Sequence, residues 1–174
     1  MKEEDSRVYV PQQFSNPANP QVHHHHTGVE ILEQVAGPID GFCSGIGTGG
    51  TISGIGTVLR AQNPDIEIWA VEPENAAVLA GGTIGTHLQM GIGDGIIPEN
   101  LDQTVYDNIY IVTDEEAIQT AKDLASKEGL MCGISSGTNV AAAKKLAKKL
   151  GKGKTVVTIL PDTAERYFST PLFE

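Results

Sequence analysis

A glycine- and threonine-rich stretch at residues 45–54 is the part of the sequence best suited to binding a ligand. It stands between a short apolar run and an apolar helical pattern, which is a strand–turn–helix context. Glycines let several backbone N–H groups point at one anion, and the start of the following helix adds about half a positive charge. Thr48 and Thr51 add hydroxyl donors. The context therefore favours a phosphate-binding turn over an ordinary glycine-rich turn.

Two kinds of phosphate-bearing ligand fit this stretch. Residues 45–50 match the dinucleotide pattern G-x-G-x-x-G, and Glu72 lies about 20 residues further on, where an acid that binds a ribose belongs. The alternative is a phosphate monoester such as pyridoxal 5′-phosphate, because the dense Gly-Thr-Gly-Gly-Thr cluster offers several donors to one dianion. The pattern alone leaves both ligands open.

The elements that must position this turn are typical of an α/β fold. Strands are predicted at 41–44, 66–71, 108–112 and 155–160. Helices are predicted at 51–62 and 113–128, and a third is predicted to follow the turn at 133–137 and to run to Leu150. The last strand is continuously apolar, as expected for the middle of a parallel sheet that is covered on both faces. We expect a three-layer α/β fold, with helices on both faces of an open, mostly parallel sheet, in a single domain at residues 1–174.

Two helix starts carry a capping box, in which a threonine is followed three residues later by a glutamate. Thr27 with Glu30 predicts a helix of about ten residues that Gly37 and Pro38 end. Thr113 with Glu116 predicts the start of the helix that follows the third strand.

The region before the first capping box contains four adjacent histidines, residues 23–26. Metal ligands on a helix need i and i+4 spacing, so we assign no metal site and expect a histidine-rich start of a helix. Residues 8–10 predict a short strand. Residues 12–20 contain two Asn-Pro pairs and predict a shaped loop whose amides could face a ligand.

Three turns, at 45–51, 133–137 and 161–166, are each predicted to follow a strand. The carboxyl ends of parallel strands line one crevice in an open sheet, so these turns should converge on one ligand. The glycine-rich residues 73–103 show no sustained period. A segment of that length without periodicity usually forms a functional loop.

Composition excludes several classes of function. A net charge of −10 argues against nucleic acid as a partner, and no apolar run approaches the ~20 residues that span a bilayer. The charged first residues lack an apolar signal region, so we expect a cytoplasmic protein. Cys43 and Cys132 lie in apolar segments and are expected to be buried free thiols.

Five motifs, at 12–20, 47–51, 91–93, 133–137 and 165–170, occur in a family-specific order and spacing. Together they resemble the cysteine synthase (O-acetylserine sulfhydrylase) family, which belongs to the fold type II pyridoxal-phosphate enzymes. The resemblance runs from about Val8 to the end of the chain and covers the C-terminal half of that enzyme. It implies the larger-domain half of the fold type II structure, and pyridoxal 5′-phosphate as the cofactor.

The resemblance also implies roles for individual residues. The cofactor phosphate is assigned to five consecutive residues, Gly47, Thr48, Gly49, Gly50 and Thr51. Ser135 is assigned to the pyridine nitrogen, where a neutral hydroxyl suits β-elimination and β-replacement. Gln13 and Gly91 are assigned to the substrate, with residues 91–95 as a mobile wall of the site. The implied reaction forms L-cysteine from O-acetylserine and sulfide, although cystathionine synthases share much of the pattern.

The family's Schiff-base lysine motif and its Thr-Ser-Gly-Asn-Thr loop are not found in these 174 residues, so no catalytic residue is assigned. We therefore expect a half-enzyme that is inactive alone and whose sheet has an open edge. The alternatives are a non-catalytic module that binds the C-terminal tail of a serine acetyltransferase, or a dinucleotide-binding domain. For the complete enzyme, the resemblance implies an amino-acid substrate and a homodimer.

Overall fold

The central sheet of the computed structural model, which describes residues 5–173, has four parallel strands. They are β1 (Gly41–Gly45), β2 (Glu67–Pro73), β3 (Asn108–Val112) and β4 (Val156–Thr158). Their order across the sheet is β3-β2-β1-β4, so β1 lies between the second strand and the last. In register, Gly41 of β1 stands beside Glu67 on one side and Val156 on the other.

Helices cover both faces of this sheet. A continuous helix comprises α1 (Ala18–Val22), a π-helical turn (His23–Thr27) and α2 (Gly28–Gln34). It is followed by α3 (Gly50–Gln62), α4 (Asp114–Asp123) with a π-helical turn (Leu124–Glu128), and α5 (Ile134–Leu150). Short 3₁₀ turns occur at Glu74–Ala76 and Ala164–Tyr167.

Two apolar clusters join the helices to the sheet, because successive strand residues point to opposite faces. Phe42 and Ile68 pack in one cluster with α2 and α3. Cys43 and Trp69, one residue further along each strand, pack in the other cluster with α4 and α5. This arrangement confirms the three-layer α/β fold with a parallel sheet and helices on both faces.

Most predicted elements are observed, and five local predictions are wrong. Residues 8–10 form no strand. Thr27 does not cap a helix, because its backbone is already helical (φ −57°, ψ −43°) inside a helix that begins at Ala18. The histidines likewise lie within this helix rather than at its start. Thr113, in contrast, caps α4 by accepting a hydrogen bond from the Glu116 N–H at 3.1 Å.

The fourth wrong prediction concerns β4, which is an edge strand of the described sheet rather than a central one. Its three residues are half-buried, and the other edge is β3. Residues 133–137 also do not follow a strand. Cys132 forms a single antiparallel bridge with Thr163, and residues 134–137 are already the first turn of α5.

Candidate functional site

A cavity of about 560 Å³ opens at the carboxyl ends of β1 and β4. The chain continues from β1 through α3 to β2 on one side, whereas β4 lies on the other side, and such a switch point is where open α/β sheets bind ligands. The residues that line the cavity are Gln13, His23, Thr27, Ser44, Gly45, Gly47, Thr48, Gly49, Thr51, Ile52, Gly91, Ile92, Asp94, Asn139, Ile159, Leu160 and Pro161. Seven of them belong to the turn after β1 and its flanks.

The turn between β1 and α3 needs glycine at two positions. Gly49 has φ +80°, and a Cβ there would lie 2.7 Å from the Leu101 Cβ. A Cβ on Gly47 would lie 2.5 Å from the Gly91 carbonyl oxygen. Because Gly49 is the N-cap of α3 and offers no side chain, the first N–H groups of the helix have no side-chain cap among residues 5–173. This turn therefore presents backbone donors and the positive end of the helix dipole to the cavity.

Asn19 fixes the hydroxyl of Thr48 at the cavity wall. Its Nδ2 donates to Thr48 Oγ1 and to the Gln13 carbonyl oxygen, both at 2.8 Å. The Thr48 oxygen thus accepts one bond, and no described residue accepts its proton. The Thr48 O–H is therefore available to donate to an anion in the cavity.

Gly50 and Gly54 have a different use from Gly47 and Gly49. A Cβ on Gly50 would overlap the Asn19 side chain, and one on Gly54 would overlap the Pro20 carbonyl oxygen. These two glycines let the helix of residues 18–34 approach α3 closely. Gly50 was also assigned to the phosphate, but it is not among the residues that line the cavity.

His23 and Thr27 reach the cavity from the π-helical turn. The His23 Nε2 lies 3.3 Å from Thr51 Oγ1, and its Nδ1 lies 3.0 Å from Thr27 Oγ1. Burial of the imidazole lowers the pKa of His23. Of the four adjacent histidines, only His23 lines the cavity, and the sequence pattern did not distinguish it from the other three.

The loop at residues 91–95 is held against the turn. Ile92 is buried, the Gly93 N–H donates to the Ile46 carbonyl oxygen at 2.9 Å, and His87 Nε2 lies 3.1 Å from the Gly93 carbonyl oxygen. Asp94 follows on the cavity wall with its carboxylate exposed. The loop predicted as a mobile wall thus has specific bonds to the segment that it faces.

Gln13 and Gly91 both line the cavity, as the substrate assignment requires. The Gln13 carbonyl oxygen accepts from Asn19 Nδ2 and from Asn100 Nδ2, both at 2.8 Å. These two bonds anchor the backbone that carries the Gln13 side chain. The predicted loop at residues 12–20 therefore contributes both a wall residue and, through Asn19, support for the turn.

Asn139 is a site residue that the sequence analysis missed. Its Oδ1 accepts from the Gly45 N–H at 2.7 Å, and its Nδ2 donates to the Ile159 carbonyl oxygen at 2.8 Å. It therefore joins the end of β1 to the chain just after β4. The sequence offered one signal, an asparagine two residues after the predicted turn at 133–137, but the hydrogen-bond partners of this side chain lie far away in the sequence.

Ser135 lies in the first turn of α5, is buried, and is not part of the cavity wall. Next to it, the buried Ser136 Oγ has no hydrogen-bond partner in the described part of the chain, and neither does Asp162 Oδ1. Tyr167 donates to Asp162 Oδ2 at 2.6 Å, and burial together with this carboxylate raises the pKa of Tyr167. The three predicted turns thus converge only in part, since no residue of the turn at 133–137 lines the cavity and the nearest one that does is Asn139, further along α5.

Glu72, which the dinucleotide alternative assigned to a ribose, has an internal role. Its buried carboxylate accepts from the Leu79 and Ala80 N–H groups at 2.9 and 3.1 Å, and burial raises its pKa. It does not line the cavity. This geometry does not support the dinucleotide alternative.

Three further findings concern residues 5–173. Both cysteines are buried free thiols, as predicted. No group of three or more histidine, cysteine, aspartate or glutamate side chains in this range is arranged to hold a metal ion. No helix in it has the length and apolar character needed to cross a bilayer.

Comparisons with known proteins identify the family to which the chain is similar. The family model "Pyridoxal-phosphate dependent enzyme" matches residues 1–162. A cysteine synthase of Staphylococcus aureus is 51% identical over 171 residues, which are 98% of this chain and 55% of that protein. The chain therefore spans about half the length of the curated relatives that it matches.

Two solved structures share the fold. An O-ureido-L-serine synthase has a TM-score of 0.94 at 40% identity, over 99% of this chain and 54% of the other. An O-acetylserine dependent cystathionine beta-synthase from Helicobacter pylori has a TM-score of 0.91 at 39% identity, over 99% of this chain and 56% of the other. These matches confirm the fold and the predicted resemblance.

Proposed function

The chain belongs to the family of pyridoxal-phosphate dependent enzymes, and from this premise we propose that it supplies the phosphate-binding half of a cysteine-synthase-type active site. The whole site would replace the leaving group on the β-carbon of an O-activated L-serine, O-acetylserine, with sulfide. One observation carries this proposal: the uncapped start of α3 and its glycine turn line the cavity at the switch point of the sheet.

The residues present fit the cofactor's phosphate. Gly47 and Gly49 line the cavity and have no room for a Cβ, so glycine is needed for the turn to pack against Gly91 and Leu101, and the start of α3 offers N–H donors. Thr48 and Thr51 hold hydroxyls at the same wall. When bound, pyridoxal phosphate withdraws electrons from the α-carbon of an amino acid, which favours loss of a group from the β-carbon.

We assign the pyridine nitrogen to Ser135, as the resemblance implies. A hydroxyl at this nitrogen is neutral, so it draws fewer electrons from the ring than a charged partner would, which suits β-replacement. The neighbouring unpartnered Ser136 Oγ supports a polar group near this turn. Gln13 and Gly91, which line the cavity, are proposed to contact the amino-acid substrate.

Sulfide is proposed as the nucleophile because a cysteine synthase is 51% identical to this chain. We further propose that the complete protein forms a dimer in the cytoplasm and that the tail of a serine acetyltransferase enters the same cavity. A peptide with that tail should then bind to the 174-residue chain in a calorimetric titration. Absence of binding would contradict the tail site.

The cavity wall formed by residues 5–173 contains no lysine, so we expect this chain to bind pyridoxal phosphate without a covalent bond. Calorimetric titration of the 174-residue chain with pyridoxal phosphate tests the proposal. Thr48→Val removes a donor to a charged group, and such a bond is worth about 1.5–3 kcal/mol, so affinity should fall about 10- to 100-fold.

Thr57→Val is the matched control. Thr57 is exposed on α3, the helix that follows the turn, and its hydroxyl donates to the Ser53 carbonyl oxygen at 2.8 Å, outside the cavity. This variant should bind as the unmodified chain does, and circular dichroism should show equal helix content in all three proteins. Equal affinity of the Thr48 and Thr57 variants, or no binding by the unmodified chain, would refute the proposal.

A further inference from the structure

His23 differs from the three histidines that follow it. It is half-buried and lines the cavity, whereas His25 and His26 are exposed and neither they nor His24 line it. The π-helical turn places His23 and Thr27 on the same side, with His23 Nδ1 3.0 Å from Thr27 Oγ1. π-Helical turns within α-helices are frequent at functional sites.

Both ring nitrogens of His23 face hydroxyl groups, and this makes the direction of the hydrogen bonds depend on protonation. A neutral imidazole has one donor and one acceptor nitrogen, so it must accept a hydrogen bond from either Thr27 or Thr51, and only the other hydroxyl is then free to donate elsewhere. A protonated imidazole donates from both nitrogens. Each threonine oxygen then accepts, and each threonine proton is turned away from the ring. Because both threonines line the cavity, only the protonated state lets both hydroxyls donate into it.

Few other charges face His23. The neighbouring α1 has no ionisable side chain, and Glu30 and Glu33 of α2 are exposed. Arg60 is the one charged residue of α3 and lies near its far end. Asp94, on the loop that packs against the glycine turn, is the other ionisable residue of the cavity wall. With these surroundings, burial lowers the pKa of His23 and favours the neutral ring.

We propose that His23 is a positioning residue of the phosphate site, which takes up a proton when a dianion binds and thereby frees the hydroxyls of both Thr27 and Thr51 to donate towards that anion. The inference rests on the proposed phosphate site at the start of α3. The proton comes from solvent and goes to the imidazole ring, and no bond other than N–H forms. Because the bound state holds one more proton than the free state, affinity is highest at low pH and decreases as pH rises.

Inorganic sulfate is the probe, since phosphate esters titrate in the same range as histidine. Calorimetry in two buffers with different ionisation enthalpies measures the protons taken up on binding, between about pH 5.5 and about pH 8, where histidines titrate. We expect uptake of up to one proton and a decrease in sulfate affinity of at most about tenfold per pH unit. The Hε1 NMR signal that is absent from the spectrum of His23→Gln belongs to His23. In the unmodified chain this signal should titrate at higher pH when sulfate is added.

His23→Gln and His26→Gln form the matched pair, because His26 is an exposed residue of the same π-helical turn. Glutamine keeps a hydrogen-bonding side chain but cannot titrate. His23→Gln should bind sulfate with no proton uptake and a flat pH profile, and thermal unfolding should show that it is folded. His26→Gln should behave as the unmodified chain does.

Two results contradict the proposals, and they are distinguishable. Proton uptake that persists in His23→Gln would overturn the role of His23 while leaving the phosphate site intact. If neither sulfate nor pyridoxal phosphate binds to the unmodified chain at any pH, the phosphate site itself is refuted.

Discussion

Asn139 is predicted to hold the two sides of the cavity together, and Asn139→Ala tests this. The side chain is 2% exposed and makes two hydrogen bonds to backbone groups, one at the end of β1 and one just after β4. One joins Oδ1 to the Gly45 N–H at 2.7 Å, and the other joins Nδ2 to the Ile159 carbonyl oxygen at 2.8 Å. The substitution removes both bonds and leaves both backbone groups without this partner.

The expected loss of stability follows from these two bonds. A buried group left unsatisfied costs about 1–3 kcal/mol, so two of them give about 2–6 kcal/mol. The cavity adjoins Asn139 and admits water to part of this space, which favours the lower half of the range, about 2–4 kcal/mol. Single domains have a free energy of unfolding of about 5–15 kcal/mol, so the variant should remain folded but be clearly less stable.

Urea unfolding measures this loss, and calorimetry with sulfate measures the effect on the site. Because Gly45 begins the turn, we expect sulfate affinity to fall about 3- to 10-fold, or roughly 0.7–1.4 kcal/mol. Asn63→Ala is the control, since Asn63 donates to the Ile39 carbonyl oxygen at 2.9 Å at the opposite end of β1. The control should lose about 1 kcal/mol of stability and keep its sulfate affinity.

The reasoning would be refuted if Asn139→Ala lowered the free energy of unfolding by less than about 1 kcal/mol and left sulfate affinity unchanged, because removal of two buried hydrogen bonds should cost more. Equal losses of sulfate affinity in the Asn139 and Asn63 variants would also contradict it. That result would mean that sulfate affinity depends on global stability rather than on the hydrogen bonds by which Asn139 connects the ends of β1 and β4.

Three further predictions follow from single side chains. Thr113→Ala should lower the free energy of unfolding by about 1 kcal/mol, because the Glu116 N–H loses its cap, and sulfate affinity should not change. Burial raises the pKa of the Cys43 thiol to about 11, so only about one molecule in a thousand has a thiolate at about pH 8, and Cys43 should react with a disulfide reagent only after unfolding. Rapid labelling of Cys43 in the folded chain would contradict this. Asp94→Asn removes a negative charge from the cavity wall and should raise sulfate affinity about 3- to 10-fold at every pH without changing proton uptake; an unchanged affinity would place Asp94 too far from the anion to act on it.

Local signals in the sequence predicted the main elements because they depend on neighbouring residues. The strand at Asn108–Val112 and the helix that starts after Thr113 are observed as predicted. The same capping signature failed at Thr27, because a cap needs an extended backbone at the threonine. Thr113 follows a strand and has that backbone, whereas Thr27 follows four residues that are already helical.

The position of β4 could not be predicted from its own composition. Its apolar run is compatible with a central or an edge strand, and the order of strands depends on pairing between distant segments. Asn139 illustrates the same limit within the site, since its two partners, Gly45 and Ile159, are separated by more than 100 residues. No pattern of neighbouring residues reports such a contact.

The sequence by itself determined the glycine turn before α3, because the room and backbone freedom that Gly47 and Gly49 provide belong to the residue type. It also determined the family through motifs in a specific order. Only the tertiary structure decided what surrounds the turn: Asn19 behind Thr48, His23 beside Thr51, and Asp94 on the loop that packs against Gly47. Those neighbours come from separate segments that meet at the ends of parallel strands, so their contacts exist only once the sheet has formed.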